Sequence, residues 1–93
     1  MKRELLPSSA FTRAARRLAK KSSQDAQSLQ DVLVALAEDA FQPSLKTHKL
    51  KGDLAQRWAC RAGYDLRIVF RFVELNGREA ILLQSVGTHD EVY

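Results

Sequence analysis

The sequence predicts an α+β fold with the element order βααβββ, in which a two-helix hairpin packs on one face of a small antiparallel sheet. Two consecutive stretches in the first half of the chain carry apolar residues at helical spacing. Residues 65–75 alternate between the two sides of a strand, and Asn76-Gly77 follows them. That dipeptide is typical of a type I′ hairpin turn.

The chain is long enough for one domain, residues 1–93, with a modest core. It is 45% hydrophobic and 28% charged, as expected of a soluble globular protein. Its single cysteine, Cys60, forms no internal disulfide and favours a reducing cytoplasm. No signal peptide or membrane span is predicted. No Cys/His spacing typical of a metal site occurs, so neither metal nor cofactor is expected.

The first half is predicted to hold a short strand and two helices. Residues 3–6 form a strand that Pro7 ends, and Ser8 or Ser9 caps the first helix. Ser22 with Asp25 fits a capping box that opens the second helix, which ends before Pro43. The apolar positions that recur at helical spacing are Phe11, Ala14, Ala15 and Leu18 in the first helix, and Ala26, Leu29, Val32, Leu33, Leu36, Ala37 and Ala40 in the second.

The second half is predicted to form the rest of the sheet. Residues 44–53 are polar and lysine-rich, so they indicate a loop. Strands are expected over 54–61, 65–75 and 79–86, with a turn at Ala62-Gly63 between the first two. Trp58 and Cys60 on the first of these strands are expected to pack rather than to react.

The strand at 65–75 predicts a sheet with one dry face and one polar face. Leu66, Ile68, Phe70 and Phe72 can pack on the helices, whereas Arg67 and Arg71 point the other way. A face that carries arginines cannot be a second apolar core, so it should be open to water or to a charged ligand.

Basic residues concentrate in two regions of a chain whose net charge is +4. Residues 1–21 hold seven of them, and residues 46–71 hold seven more. This asymmetry favours a polyanionic partner such as a nucleic acid, or an acidic protein. A basic surface that only contacts water remains an equal alternative.

Four segments, in this order and spacing, resemble the RelE/ParE superfamily of bacterial toxins from toxin–antitoxin pairs, and its RelE and YafQ branch more than its gyrase-poisoning ParE branch. They are His48-Lys49-Leu50-Lys51-Gly52, Trp58, Gly63-Tyr64-Asp65-Leu66-Arg67-Ile68-Val69-Phe70 and Val86-Gly87-Thr88-His89-Asp90-Glu91-Val92-Tyr93. The resemblance covers nearly the whole chain, including the order βααβββ, and implies a fold like that of small microbial ribonucleases.

The resemblance implies a metal-independent endoribonuclease, an mRNA interferase that cuts mRNA on the ribosome. The 2′-hydroxyl attacks the adjacent phosphate and the 5′-oxygen leaves. It also implies a cognate antitoxin as partner, a toxin–antitoxin hetero-oligomer and a cytoplasmic location. A non-catalytic RNA- or protein-binding module on the same fold, or a gyrase-directed ParE-like toxin, is the alternative.

Five catalytic residues are expected from this resemblance. His89 and His48 match two histidines of YafQ-like toxins and suit acid–base roles, because an imidazole titrates near neutral pH. Arg67 matches a strand arginine that stabilises the phosphate charge, although it could instead pair with Asp65 or Glu91. Asp65 matches an acid that orients a histidine; alternatively, it pairs with Arg67 and has only a structural role. Tyr93 matches an aromatic residue suited to base stacking, and it carries the last carboxylate of the sequence.

Four cations are expected to contact RNA: Lys46, Lys49, Lys51 and Arg61. The lysines suit phosphate positioning rather than catalysis. Two positions depart from the YafQ pattern, since Arg61 lies where those toxins have a histidine and Ser85 lies where some of them have an arginine. Arg67, Arg61 or a lysine must then supply the missing positive charge.

Overall fold

The computed structural model describes residues 2–52 and 56–92. It confirms an α+β fold, whose helices and strands are β1 Leu5–Pro7, α1 Ser9–Lys21, α2 Ser23–Glu38, a 3₁₀ turn Pro43–Leu45, β2 His48–Lys49, β3 Trp58–Arg61, β4 Leu66–Leu75, β5 Arg78–Thr88 and α3 His89–Val92. None of the helices in these two ranges has the length and apolar run that crossing a bilayer requires.

Serine side chains begin both long helices, as the sequence predicts. The Phe11 amide donates to Ser8 Oγ at 3.1 Å, and the Asp25 amide donates to Ser22 Oγ at 3.1 Å. Ser22 also ends α1, because its own amide donates to the Leu18 carbonyl at 3.0 Å. One residue therefore closes the first helix and opens the second, and the two helices form the tight hairpin that the sequence predicts.

The sheet is mixed rather than wholly antiparallel. Its strand order is β1-β5-β4-β3-β2, and β1 runs parallel to β5 while the other neighbours are antiparallel. Backbone bonds on either side of β1 fix this pairing: the Ile81 amide donates to Glu4 O at 2.9 Å, and the Ser8 amide donates to Leu83 O at 3.0 Å. The prediction of an antiparallel sheet is therefore wrong for the pair β1 and β5. These two strands are far apart in the sequence and no hairpin turn joins them, so no local motif indicates their relative direction.

A short strand lies within residues 44–53, where the sequence predicts only loop. In β2, His48 pairs with Ala59 and Lys49 pairs with Trp58. Its polar side chains show no apolar alternation, so the sequence carries no strand signal there. The strand predicted over 54–61 begins at Trp58, and residues 53–55 lie outside the described residues. The Asn76-Gly77 turn is confirmed, since both residues have the positive φ, 53° and 78°, that type I′ requires.

The core lies between the helices and one face of the sheet, called here the helix-packed face. Phe70, Ile68 and Ile81 are fully buried on it, and they pack in one cluster with Phe11, Leu29 and Leu36 of the helices. Cys60 belongs to the same cluster, and burial raises the pKa of its thiol to about 12. A thiol kept protonated at neutral pH is a packing group rather than a nucleophile, as the sequence predicts.

An aromatic cluster joins the helical layer to the sheet. The Phe41 ring, just beyond α2, lies 5.5 Å from Trp58 and 5.7 Å from Phe72, centroid to centroid. Trp58 and Phe72 are themselves 5.5 Å apart, and the Arg3 guanidinium lies 5.2 Å from the centroid of Phe72. Trp58 therefore packs, which agrees with its predicted role.

Candidate active site

The open face is the sheet face opposite the helices, and strand register decides which side chains lie on it. Directly paired residues of antiparallel strands point to the same face. His48 pairs with Ala59, Ala59 with Val69, and Val69 with Ser85, so these four form one row across the sheet. The buried Ala59 and Val69 form the floor of that row, while His48 and Ser85 stand at its two ends.

A second row brings two arginines onto the same face. Arg61 pairs with Arg67, and Arg67 pairs with Gly87. This row lies two residues along from the first, so it shares its orientation. Arg61 is exposed and Arg67 is half-buried. The structure therefore confirms that this face is polar and cationic rather than a second apolar core.

Across the open face the groups follow the strand order. His48 lies on the edge strand β2, Arg61 on β3 and Arg67 on β4, and His89 directly follows β5. Neighbouring strands are about 4.8 Å apart, so β2 and β5 are separated by about 14 Å. The two imidazoles thus flank the face, and both guanidinium groups lie on the strands between them.

The position of His48 depends on a bend just before β2. Lys46 adopts a left-handed conformation with φ of 51°, which reverses the chain as it leaves the 3₁₀ turn. The Nδ1 atom of His48 lies 3.0 Å from the Lys46 carbonyl oxygen. In the tautomer that carries a proton on Nδ1, this contact leaves Nε2 as the acceptor, which is the form that a general base needs.

Both arginines use only part of their hydrogen-bonding capacity within the protein. Arg67 Nη1 donates to Leu66 O at 3.0 Å, and Arg61 Nε donates to Gly63 O at 3.2 Å. Between the described residues, Arg3 forms an ion pair with Glu79, and the imidazole of His89 lies within ion-pair distance of Asp90. The predicted alternative, in which Arg67 pairs with Asp65 or Glu91, is absent from residues 2–52 and 56–92. Most donors of each guanidinium fork therefore remain for a phosphate.

Helix α3 places His89 beside the arginine row. The Thr88 amide donates to Glu91 Oε1 at 2.8 Å, which is the side-chain-to-backbone bond of a capping box at residues 88–91. That bond lowers the pKa of the Glu91 carboxyl, and more distant charges on Lys21 and Arg17 lower this pKa further. Because the pKa is lower in the folded state, the contact stabilises α3 at neutral pH and is lost as the pH falls through that pKa.

Gly87 allows α3 to approach the open face closely. A Cβ atom on this glycine would lie 2.9 Å from Glu91 Oε1 and 3.1 Å from Glu91 Cβ. Gly87 is the direct pairing partner of Arg67, so the same close approach brings α3 next to that arginine. His89 itself lies 3.6 Å from Asp90, measured from Nδ1 to Oδ1.

The remaining predicted site residues are placed at the rim. Asp65 is exposed in the turn before β4, and Lys46 and Lys51 are exposed on either side of β2. Lys49 pairs with Trp58 and so lies on the helix-packed side of the sheet edge, away from His48. Tyr93 lies outside the described residues. The catalytic or RNA-binding role of each of these residues stays a prediction.

Sequence reasoning missed Gly87 and Glu91 as supporting residues of the site. The sequence predicts no element after the strand at 79–86, whereas the chain forms α3 over His89–Val92. The signal was present, because Thr88-His89-Asp90-Glu91 has the Thr-x-x-Glu pattern of a capping box. Only two residues follow this motif in the sequence, so the apolar periodicity that usually identifies a helix is missing.

The open face carries His48, Arg61 and Arg67, and His89 follows β5 next to it. Imidazoles are suited to acid–base roles, and guanidinium groups are suited to binding the negative charge of a phosphate. Among residues 2–52 and 56–92, no group of three or more His, Cys, Asp or Glu side chains is arranged to hold a metal ion.

The chain matches a protein-family model. The model of the YafQ toxin, a bacterial toxin of the type II toxin–antitoxin system, matches residues 3–93. No curated protein sequence matches significantly. The match extends over all the elements described above and confirms the resemblance to the RelE and YafQ branch.

Solved structures share the fold over the whole chain. A metal-bound toxin from Helicobacter pylori is 26% identical with a TM-score of 0.77, and the alignment covers 100% of both chains. YafQ from E. coli strain BL21(DE3) is 16% identical with a TM-score of 0.77 over 99% of each chain. The E. coli DinJ–YafQ toxin–antitoxin complex gives 17% identity and a TM-score of 0.75, over 100% of this chain and 99% of that chain.

Proposed function

This chain belongs to the YafQ family of bacterial toxins of type II toxin–antitoxin systems, and we propose that it is a metal-independent, ribosome-dependent mRNA endoribonuclease. In this proposal it acts in the cytoplasm on messages that are being translated. The 2′-hydroxyl of the message attacks the adjacent phosphate, and the 5′-oxygen leaves.

The observation that carries the proposal is the order of groups across the open face. His48, Arg61 and Arg67 lie on three successive strands, and His89 follows the fourth. A phosphate bound at Arg67 would therefore have an imidazole on either side of it. In-line displacement is suited to a base and an acid on opposite sides of the phosphate, because the attacking and leaving oxygens lie on opposite sides of the phosphorus.

Each residue then has a stated role. One histidine removes the proton of the 2′-hydroxyl and the other protonates the leaving 5′-oxygen. Arg67, supported by Arg61, stabilises the charge on the phosphate oxygens. Asp65 orients an imidazole, Tyr93 stacks on a base, and Lys46, Lys49 and Lys51 position the backbone of the message.

We also propose an antitoxin as the protein partner. The similar E. coli YafQ is described in a complex with DinJ, a toxin–antitoxin complex. The net charge of +4 suits an acidic partner. The complex would be a hetero-oligomer in which the antitoxin suppresses cleavage.

The test is induction of the chain in bacterial cells, followed by mapping of mRNA 5′-ends on translated messages. The wild-type chain should arrest growth and produce cleavage in phase with codons. His89→Ala and His48→Ala should each reduce cleavage about 100-fold or more, because general acid–base catalysis contributes about 10²–10⁴. Arg78→Ala removes an exposed cation at the β4–β5 turn, where it pairs with Leu75, eight residues along β4 from Arg67, and it should leave cleavage unchanged.

Growth arrest without codon-phased cleavage would refute the nuclease and favour a gyrase-directed toxin. Binding to ribosomes without cleavage or arrest would favour a non-catalytic module. Undiminished cleavage in both histidine variants would show that the site is elsewhere, even if the activity is as proposed.

A further inference from the structure

Helix α1 carries a cationic surface that the proposed chemistry does not use. Five basic side chains, all exposed, follow one another at helical spacing along its outer face. The set, called here the α1 stripe, consists of Arg13, Arg16, Arg17, Lys20 and Lys21. At 1.5 Å of rise per residue, it extends over about 12 Å.

The stripe has no acidic partner on its own helix. Residues 9–21 contain no acid, and no ion pair within residues 2–52 and 56–92 involves the stripe. The net charge of the whole chain is +4, so the rest of the chain, without these five cations, sums to −1. Neighbouring like charges at i,i+3 and i,i+4 destabilise a helix. The five like charges therefore repel one another along the helix, and a bound polyanion would relieve that repulsion.

The composition of this surface favours a nucleic acid over a protein as the partner. The buried centre of a protein–protein interface is apolar and depleted of charge. The large apolar side chains that are exposed in the described residues are Val34, Phe41 and Tyr64, and none of them lies on α1. A phosphate backbone requires only positive charge at regular spacing, which is what the stripe provides.

The C-terminal end of the stripe is linked to α3. Arg17 and Lys21, in its last turns, act electrostatically on Glu91 of α3, and α1 packs against β5, the strand that leads into α3.

We propose that the α1 stripe binds the phosphate backbone of RNA without sequence preference, outside the strand that is cut. The binding itself is independent of the proposed activity. Only the assignment of the phosphates to ribosomal RNA, rather than to a distant part of the message, rests on the proposed function.

The test compares two triple variants in the full chain, each made in the His89→Ala background so that RNA stays intact. The stripe variant carries Arg13→Gln, Arg16→Gln and Lys20→Gln. The control carries Lys2→Gln, Arg57→Gln and Arg78→Gln, which remove the same charge from exposed positions elsewhere. Affinity is measured over a range of salt concentrations for ribosomes without message, an RNA duplex of about 20 base pairs and a single-stranded RNA of the same length.

Each lost phosphate contact should reduce the slope of log Kd against log salt by about 0.7–0.9. We expect the stripe variant to lose about 2 units of slope and about 10-fold or more in affinity, and the control to change little. A loss confined to ribosomes and duplex would identify structured RNA as the source of the phosphates. A loss of the same size on the single strand would assign the stripe to the message and overturn its placement outside the strand that is cut.

Equal and small losses in the two variants on all three probes would overturn the inference, whether or not the wild type cleaves mRNA. Normal RNA binding by the stripe variant, with weakened binding to the protein encoded beside this gene, would also overturn it by assigning the stripe to the antitoxin. A wild type that binds these RNAs through the stripe but cuts no message would refute only the proposed function.

Discussion

At the residue scale, the chemistry proposed for the open face depends most on the geometry of Arg67. Its side chain is half-buried in the central strand β4, beside Gly87 and in the same row as Arg61. A guanidinium in that position can bind two phosphate oxygens with parallel hydrogen bonds, whereas an ammonium acts as a point charge. Arg67 and its lysine substitute should therefore differ in activity although both carry one positive charge.

Arg67→Ala should lower the rate of mRNA cleavage about 100-fold or more, because losing one preorganised donor to a developing negative charge costs about 10²–10³. Arg67→Lys should retain part of the rate and lose about 10-fold. Single-turnover cleavage on programmed ribosomes measures both, and Trp58 fluorescence checks that the fold is retained. Equal rates for the lysine and alanine variants would show that the fork geometry has no role.

At the scale of elements, α3 depends on a close contact that a methyl group would disturb. Gly87→Ala pushes a Cβ into Glu91, so the bond from the Thr88 amide must lengthen or break. We expect a loss of about 1 kcal/mol in stability and a several-fold loss of cleavage, since His89 is the first residue of α3. Chemical denaturation and the ribosomal cleavage assay measure the two effects.

Gly77→Ala is the matched control for this substitution. Gly77 has φ of +78° and nothing within 4 Å of an added Cβ, so alanine there costs about 1–2 kcal/mol of backbone strain without touching the site. It should lower stability and leave cleavage unchanged at a temperature where the protein stays folded. If Gly87→Ala did the same, the contact between α3 and the open face would have only a structural role.

The elements differ in how far the sequence predicts them, and the difference is physical. Ser8, Ser22 and Asn76-Gly77 act through neighbours a few residues away, so their motifs indicate both helices and the hairpin. The parallel pairing of β1 with β5 joins Leu5 to Ile81, and no local pattern encodes so distant a contact. The β-bulge is equally hidden: Val69 pairs with Ser85 but Phe70 pairs with Leu83, so Gln84 is an extra residue that alternation cannot reveal.

For the candidate site, the sequence indicated which residue types would serve but not how they would be arranged. Arg67 and Arg71 could be assigned to the open face, because residues of β4 point alternately to its two sides. The position of His48 could not be assigned, because it depends on the register of the two-residue strand β2 with Ala59. The same register places Lys49 on the helix-packed side of the sheet. The lysine-rich sequence around it does not indicate which of its residues point to which side.

At the scale of the whole molecule, stability depends on how the helical layer is held to the sheet. Phe41 and Val34 are equally exposed, at 52% and 51%, yet only Phe41 lies in the aromatic cluster with Trp58 and Phe72. Its ring packs edge-to-face on Trp58, with an interplanar angle of 82°, and stacks on Phe72 at 22°. Exposure alone therefore understates the contribution of Phe41.

Phe41→Ala should lower the free energy of unfolding by about 1–2 kcal/mol, because each aromatic pair contributes about 0.5–1.5 kcal/mol beyond its buried area. Val34→Ala should cost less than about 0.5 kcal/mol, as expected of a surface substitution away from such contacts. Urea denaturation followed by Trp58 fluorescence measures both, and an unchanged m-value confirms that the same surface is exposed on unfolding. Equal losses in the two variants would mean that the cluster does not couple the layers. A larger loss of stability for Phe41→Ala than for Val34→Ala would show that the aromatic cluster stabilises the packing of the helical layer on the sheet. That sheet positions His48, Arg61 and Arg67.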